Sequence, residues 1–351
     1  MSEAMLDRPM GGAEATLGVE ALGAPEAVLE RAPLGPGNDP AGGRPADPQP
    51  INPQPINPHR RRHMDEATAI RNLPRGDLSE FQRGFRHWFS RMLAASVMKT
   101  WFRIKVVNPE GFLHEPALYA FNHLSWMDTL LMICIFPKQP RLYMYGPKQE
   151  DIKQGGRNRF MWWSGIPVPF SPNKSDLLTS VKRAQAVFDS GGVLAIAPEG
   201  GIHVHEGDLR AFEEGAAYLA IRAGVPIVPI AITGTSWARF RGQVLVRLGE
   251  PIRTEGRPTR EVVARYTALT WHALKSMIAN DRDLPPPGPI GRWFTDWFND
   301  WGEGGREAAS RIYGPDPADV PYGPVSTVVP EGPATGVARP EGGLGEVAAA
   351  G

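Results

Sequence analysis

The sequence predicts an α/β fold, and three observations carry that prediction. Short apolar runs recur along the chain, helical periods separate them, and polar motifs stand where the runs stop. Ala117 to Phe121 reads as a buried strand that ends at Asn122-His123, and Leu142 to Tyr145 reads as a second. Asp176 to Ser190 has a helical period and is stopped by Gly191-Gly192. Val193 to Ala197 is a third strand, running directly into Pro198-Glu199-Gly200-Gly201. A helix from Leu209 to Ala223, closed by Gly224, leads to a fourth strand, Ile227 to Thr233. Val244 to Leu248 supplies a fifth strand, and Thr259 to Asn280 the last long helix of the main body. Sheets of this kind place ligands beyond the carboxyl ends of their strands, which is where both polar motifs fall.

Composition bounds the rest. Lys+Arg and Asp+Glu are each 38 in 351 residues, so no net charge favours nucleic acid, and none is expected as a partner. Cys134 is the single cysteine, which rules out a disulfide scaffold and fits a reducing compartment. Residues 1–64, rich in Pro and Gly with the near repeat QPINPQPINP, and residues 314–351 are expected to be disordered, because such segments bury too little apolar surface. The apolar stretch Leu130 to Pro137 is far short of the roughly 20 residues a spanning helix needs. The N-terminus does not read as a secretory signal, so the protein is expected in the cytosol or on a membrane.

Two segments bear on that choice. From Ser79 to Lys105, within a helical region at 65–107, Phe81, Phe85, Trp88, Phe89, Met92, Leu93 and Val97 recur three and four apart, with Arg83, Arg86, Arg91 and Lys99 between them. This is the pattern of an interfacial membrane helix, and equally of a core-packing helix with a solvated basic face. Ile290 to Trp301, inside an aromatic segment at 283–313, carries Trp293, Phe294, Trp297, Phe298 and Trp301 on one stripe. Such a stripe suits either the lipid headgroup boundary or the core. Together the two segments predict peripheral binding to a membrane lipid surface on its cytoplasmic side, salt-sensitive through the first.

His123 and Asp128 are the candidate chemical groups. Five residues apart on one helix they would point about 140 degrees from each other. They meet only if the helix starts between them, which Ser125 as an N-cap implies. Asp128 then orients the imidazole and leaves its far nitrogen free as a general base. The sequence has no GxSxG elbow, and Cys134 has no evident activating base, so direct transfer without a covalent enzyme intermediate is indicated.

Four blocks in order resemble the glycerolipid acyltransferase family, whose best-known member is 1-acylglycerol-3-phosphate acyltransferase. Asn122 to Asp128 resembles its NHxSxxD block, and Gly165-Ile166-Pro167-Val168 lies where its second block stands. Ala197-Pro198-Glu199-Gly200 resembles its FPEG block, and Val225 to Ile230 its VPIVPV strand. The likeness covers about residues 85–255, within an α/β domain at 108–282. It implies a central, largely parallel or mixed sheet flanked by helices, with an N-terminal amphipathic segment. It also implies O-acyl transfer in phospholipid synthesis, with acyl-CoA or acyl carrier protein as co-substrate and with no cofactor or metal. His123 would be the base and Asp128 its partner. Asn122, Ser125, Lys148, Pro198, Glu199, Gly200 and Gly201 would shape the substrate site.

Departures from the family bear on the acceptor. Ser171, Ile202 and Glu213 stand where the family carries cations, leaving Lys148, with Arg157 and Arg159 nearby. An acceptor less anionic than glycerol 3-phosphate, or a relocated phosphate site, is expected. Two alternatives stand beside this reading: a metal hydrolase built on His203-Val204-His205-Glu206, and an inactive membrane-binding member of the family.

Overall fold

Seven strands join in one sheet in the order β1-β7-β6-β2-β5-β3-β4. They are β1 (Phe102–Val107), β2 (Leu118–Phe121), β3 (Leu142–Lys148), β4 (Pro167–Phe170), β5 (Val193–Ile196), β6 (Ile227–Thr233) and β7 (Gly242–Leu248). The coordinates are a computed structural model that describes residues 66–148, 152, 155–170, 174–299, 301, 304–306 and 322. Neighbours are parallel except β6 and β7, so β1 and β7 run against the other five strands. This is the mixed α/β sheet that the alternating pattern predicts.

Helices cover both faces. Leu118 and Ala120 of β2 pack into one cluster with α5 (Lys174–Asp189) and α6 (Gly215–Ala223), while Tyr119 and Phe121 pack into another with α2 (Glu80–Trp101) and α3 (Met127–Ile135). Burial on both faces is why the central strands read as unbroken apolar runs. The remaining helices are α1 (Glu66–Asn72), α4 (Gly155–Ser164), α7 (Arg260–Ile278) and α8 (Pro289–Asn299).

Four local features differ from expectation. The first long helix stops at Trp101, since Phe102 onward pairs with β7, Phe102 opposite Gly242. Its alternation, with Phe102 buried and Arg103 and Lys105 exposed, is a strand period that helical continuity masked. The helix expected from Leu209 begins only at Gly215, because residues 209–214 spend backbone donors elsewhere: Arg210 N on Glu199 and Glu213 N on the Pro198 carbonyl. Strand β4 was unexpected, its two prolines tolerated because it is the sheet's edge. Helix α4 was unexpected as well. The segment at 1–64 lies outside the described residues, as does the tail from 314 apart from Tyr322, whose hydroxyl bonds the Phe212 backbone.

Helix α2 is inverted in polarity. Its N-terminus carries a full capping box, with Ser79 accepting from Gln82 N and the Gln82 side chain accepting from Ser79 N. Its buried face is Arg83, His87, Ser90, Ala94 and Met98, whereas Phe81, Phe85, Trp88, Met92, Leu93 and Val97 are exposed. Of the four cations on the expected basic face only Lys99 stays exposed. Arg83 donates to the carbonyls of Pro74 and Arg75, Arg86 to Trp163, and Arg91 to Ile133 and Pro137. Near the far end of α2, Trp101 stacks on Phe294 of α8 at 4.4 Å. The aromatic stripe of α8 divides accordingly: Phe294 and Phe298 pack on the core, while Trp293 and Trp297 are each 63% exposed. No helix among the described residues is long and apolar enough to cross a membrane.

Burying His87 makes stability pH-dependent. Desolvation, aided by Arg141 and Arg91, pushes its imidazole down to about 3, and its Nε2 has no partner. The unfolded chain takes up this proton near pH 6.5 and the folded chain does not, so this contribution to stability is present above about 6.5 and is lost as pH falls toward 3. Denaturant titrations at pH 7 and 4.5 should show a smaller acid loss for His87→Leu than for the wild type. An equal loss would place the acid sensitivity elsewhere.

Candidate active site

Strand β2 delivers His123 just beyond Phe121, and the chain turns through residues 124–126 before α3 begins at Met127. Ser125 is not the N-cap: that position is Trp126, which makes no side-chain cap bond, because the Ser125 hydroxyl is spent one residue early. Ser125 Oγ accepts from Met127 N at 3.2 Å, and Asp128 reaches back to Ser125 N, although the helix boundary falls at Trp126. Asp128 is fully buried. Its Oδ2 accepts from His123 Nδ1 at 3.0 Å, Leu124 N at 2.7 Å and Ser125 N at 2.9 Å. Its Oδ1 accepts from the Thr235 hydroxyl. With the Nδ1 proton directed at Asp128, His123 Nε2 keeps its lone pair, and the ring is 18% exposed. The arrangement can remove a proton from a bound hydroxyl.

The turn after β5 grips the backbone of the same histidine from both sides. Glu199 Oε1 accepts from His123 N at 3.0 Å, and His203 N donates to the His123 carbonyl at 2.6 Å. Glu199 Oε2 accepts from Arg210 N at 3.0 Å, so both carboxylate oxygens of Glu199 hold main chain. Burial pushes the Glu199 carboxyl up to about 7 against these donors. Gly200 closes the turn at φ +70°, a left-handed conformation that favours glycine. Gly201 lies beside the Arg210 guanidinium, 3.5 Å from where a Cβ would stand.

Other predicted residues fall as follows. Asn122 is fully buried and bonds Ile232 twice, donating to its carbonyl at 2.9 Å and accepting from its N–H at 2.7 Å. Its amide ties the ends of β2 and β6 together. Pro198 gives its carbonyl to Glu213 N. Lys148 ends β3, two strands from β2 at the same end of the sheet. Arg157 donates to the Phe298 carbonyl and lies 5.1 Å over the Trp126 ring, which commits it to joining α4, α8 and the start of α3. Ile202 is half-buried, Glu213 is exposed, and Ser171 lies outside the described residues. The HxHxE side chains take separate hydrogen bonds: His205 pairs with Asp283 at 2.7 Å, Glu206 bonds the turn after β6, and the buried His203 ring, 5.6 Å from that of His205, has no hydrogen-bond partner. Among the described residues no three His, Cys, Asp or Glu side chains are arranged to hold a metal ion.

Sequence reasoning gave no role to Arg210 or Thr235, and met Glu206 only within the metal-like HxHxE pattern. The one available signal for Thr235 was its position just past β6, beside β2 at the ligand end of the sheet.

Known proteins carry the same segment. Residues 103–233 match the family described as Acyltransferase. Over 182 residues the chain is 28% identical to human 1-acyl-sn-glycerol-3-phosphate acyltransferase alpha, covering 50% of this chain and 62% of that protein. It is 24% identical to 1-acyl-sn-glycerol-3-phosphate acyltransferase of Pseudomonas aeruginosa, covering 51% and 68%, and 25% identical to that of Saccharomyces cerevisiae, covering 58% and 69%. The crystal structure of a 1-acyl-sn-glycerophosphate (LPA) acyltransferase from Thermotoga maritima superposes with a TM-score of 0.47 at 17% identity, covering 62% of this chain and 92% of that one. The α/β domain with its histidine at a strand end is thus an acyltransferase domain. Over this domain the chain resembles the 1-acylglycerol-3-phosphate acyltransferase-like glycerolipid acyltransferases. It spans about three fifths of the length of the human relative.

The double bond of Asn122 to Ile232 has a measurable consequence. Asn122→Ala leaves a buried N–H and a buried carbonyl without their partner, at a cost of about 1–3 kcal/mol. Urea unfolding of the two proteins should show that loss. A variant as stable as the wild type would mean that the bridge between β2 and β6 carries no net stability.

Proposed function

We propose that the protein is an O-acyltransferase that moves a fatty acyl group from an acyl thioester, acyl-CoA or acyl carrier protein, to a hydroxyl of a lipid acceptor in glycerolipid synthesis. The observation that carries this reading is the His123–Asp128 pair, clamped at the end of β2 with Nε2 unpaired. In this reading Nε2 takes the acceptor's proton as the hydroxyl oxygen attacks the thioester carbonyl. The tetrahedral oxyanion is met by backbone donors of the Gly200-Gly201 turn, and its collapse expels the thiol, which leaves with the proton. Cys134 takes no part: it is buried, with its thiol pushed up by desolvation.

The acceptor in this reading is less anionic than lysophosphatidate. Ile202 and Glu213 offer no cation, and Arg210 beside Gly201 is one charge where the family's pattern holds more. The test is an assay of purified protein with lysophosphatidate and neutral hydroxylated lipids side by side. Wild type should prefer the neutral acceptors, and His123→Ala should lose about a hundredfold to ten-thousandfold in rate. Preferred use of lysophosphatidate would overturn the acceptor reading, and near-normal turnover by His123→Ala the base.

The reading also makes the protein peripheral on the cytoplasmic side of a membrane. Its support is the outward apolar row of α2 with Ile290, Trp293 and Trp297 of α8 and the exposed Phe240, which packs on Trp101. With Arg83, Arg86 and Arg91 bonded inward and Lys99 left exposed, the attraction in this reading is more apolar than electrostatic, with a smaller salt-sensitive part than the basic row of α2 suggested. Flotation with phosphatidylcholine vesicles should show binding that survives high salt. The Trp293→Ala/Trp297→Ala variant should bind at least about tenfold more weakly, since each indole removes a large apolar area from water. Equal binding by the folded variant would remove α8 from the membrane surface.

A further inference from the structure

Glu206, the acidic member of the HxHxE segment, is fully buried and faces the turn after β6. Its Oε2 accepts from Gly234 N at 2.8 Å, and its Oε1 accepts from Ser236 N at 3.2 Å and from the Ser236 hydroxyl. Those two residues bracket Thr235, itself fully buried, and the Thr235 hydroxyl is the donor on Asp128 Oδ1. One carboxylate therefore holds both chain neighbours of the residue that holds the other carboxylate.

The surroundings leave the turn little freedom. Gly234 has φ +95°, and a Cβ there would drive into the Gln243 carbonyl oxygen of β7. Glu206 is itself anchored, because its N–H donates to Asp283 Oδ1 at 2.9 Å while Asp283 Oδ2 takes the His205 ring.

The physical need for a clamp lies in the geometry of Asp128. Three donors crowd Oδ2: an imidazole and two backbone N–H groups. A carboxylate held by one oxygen can turn about its Cβ–Cγ bond, and with it turns the lone pair that aims the imidazole. Fixing Oδ1 fixes the plane. We infer that Thr235 is a positioning residue that sets the carboxylate plane of Asp128, and that Glu206 positions Thr235 by gripping the amides on either side of it. Neither side chain touches His123, so each acts through Asp128. The inference rests on the acyl-transfer reading above and extends it by two residues.

Thr235→Val keeps the shape and removes the hydroxyl, whereas Thr235→Ser keeps the hydroxyl. In steady-state acyl transfer Thr235→Val should lower kcat by roughly tenfold to a hundredfold, the usual effect of losing a partner that orients an active group, with KM within about twofold. Thr235→Ser should recover most of the loss. Glu206→Gln, which turns an NH2 toward groups that themselves donate, should lower kcat by the same route. Isotope-edited NMR of the histidine rings gives a readout independent of turnover: the His123 Nδ1–H resonance, set by its bond to Asp128, should shift in Thr235→Val and return in Thr235→Ser. Unchanged kcat and an unchanged Nδ1–H resonance in folded Thr235→Val would overturn the inference, as would Thr235→Ser as impaired as Thr235→Val, or a loss carried by KM alone. Full kcat in folded Glu206→Gln would remove Glu206 from it. Failure of the acyl-transfer reading would show separately, as His123→Ala keeping wild-type turnover, and the Nδ1–H resonance would still decide the positioning.

Discussion

A carboxylate shut away from water must find donors for both of its oxygens, and the burial of Asp128 imposes that demand on the architecture around it. The donors come from the turn that ends β2 and from the residue just past β6. They converge because β2 lies next to β6 in the sheet. The amide of Asn122 sews the same two strand ends together. The adjacent β5 contributes the Glu199 turn, which secures the His123 backbone rather than its ring. Three neighbouring parallel strands thus end in one hydrogen-bonded unit, and only the Nε2 edge of the histidine is left to meet a ligand.

Much of this architecture is legible in the sequence for one reason: strands buried on both faces need apolar residues throughout. Val193 to Ala197 and Ile227 to Thr233 are readable as strands on that ground. Edge strands lack the signal. Phe102–Val107 alternates and follows a helix without a break, and Pro167–Phe170 has two prolines in four residues. The His123–Asp128 pair is legible because both members lie on one local turn, where spacing alone limits the geometry. Thr235 lies 107 positions beyond Asp128, and no period connects them. Glu206 was visible only as part of a metal-like pattern, since sequence order cannot tell a ligand from a clamp.

Helix α2 shows a different limit. Its apolar and basic stripes are plain in the sequence, but periodicity gives the angle between stripes and not which one faces inward. The inward choice goes with carbonyls around it, at Pro74, Arg75, Trp163, Ile133 and Pro137, all of which accept from arginines of α2. Guanidinium groups reach such acceptors at the end of long apolar stems, so burying them still packs hydrocarbon against the core. The outcome is a row of Phe, Trp, Met, Leu and Val directed away from the protein.

Asn299, at the last position of α8, accepts from the backbone N–H of Trp126 at 2.7 Å, and Arg157 lies over the ring of that tryptophan while bonding the neighbouring Phe298 carbonyl. Trp126 stands between the histidine and the aspartate, so the helix that displays Trp293 and Trp297 also serves as a wall for the loop carrying His123. Proteolysis at the exposed proline-rich link before α8 would therefore do more than free a surface helix. It would strip an acceptor from a main-chain donor two residues ahead of Asp128, and damage at the rim would reach the His123–Asp128 turn through a single amide.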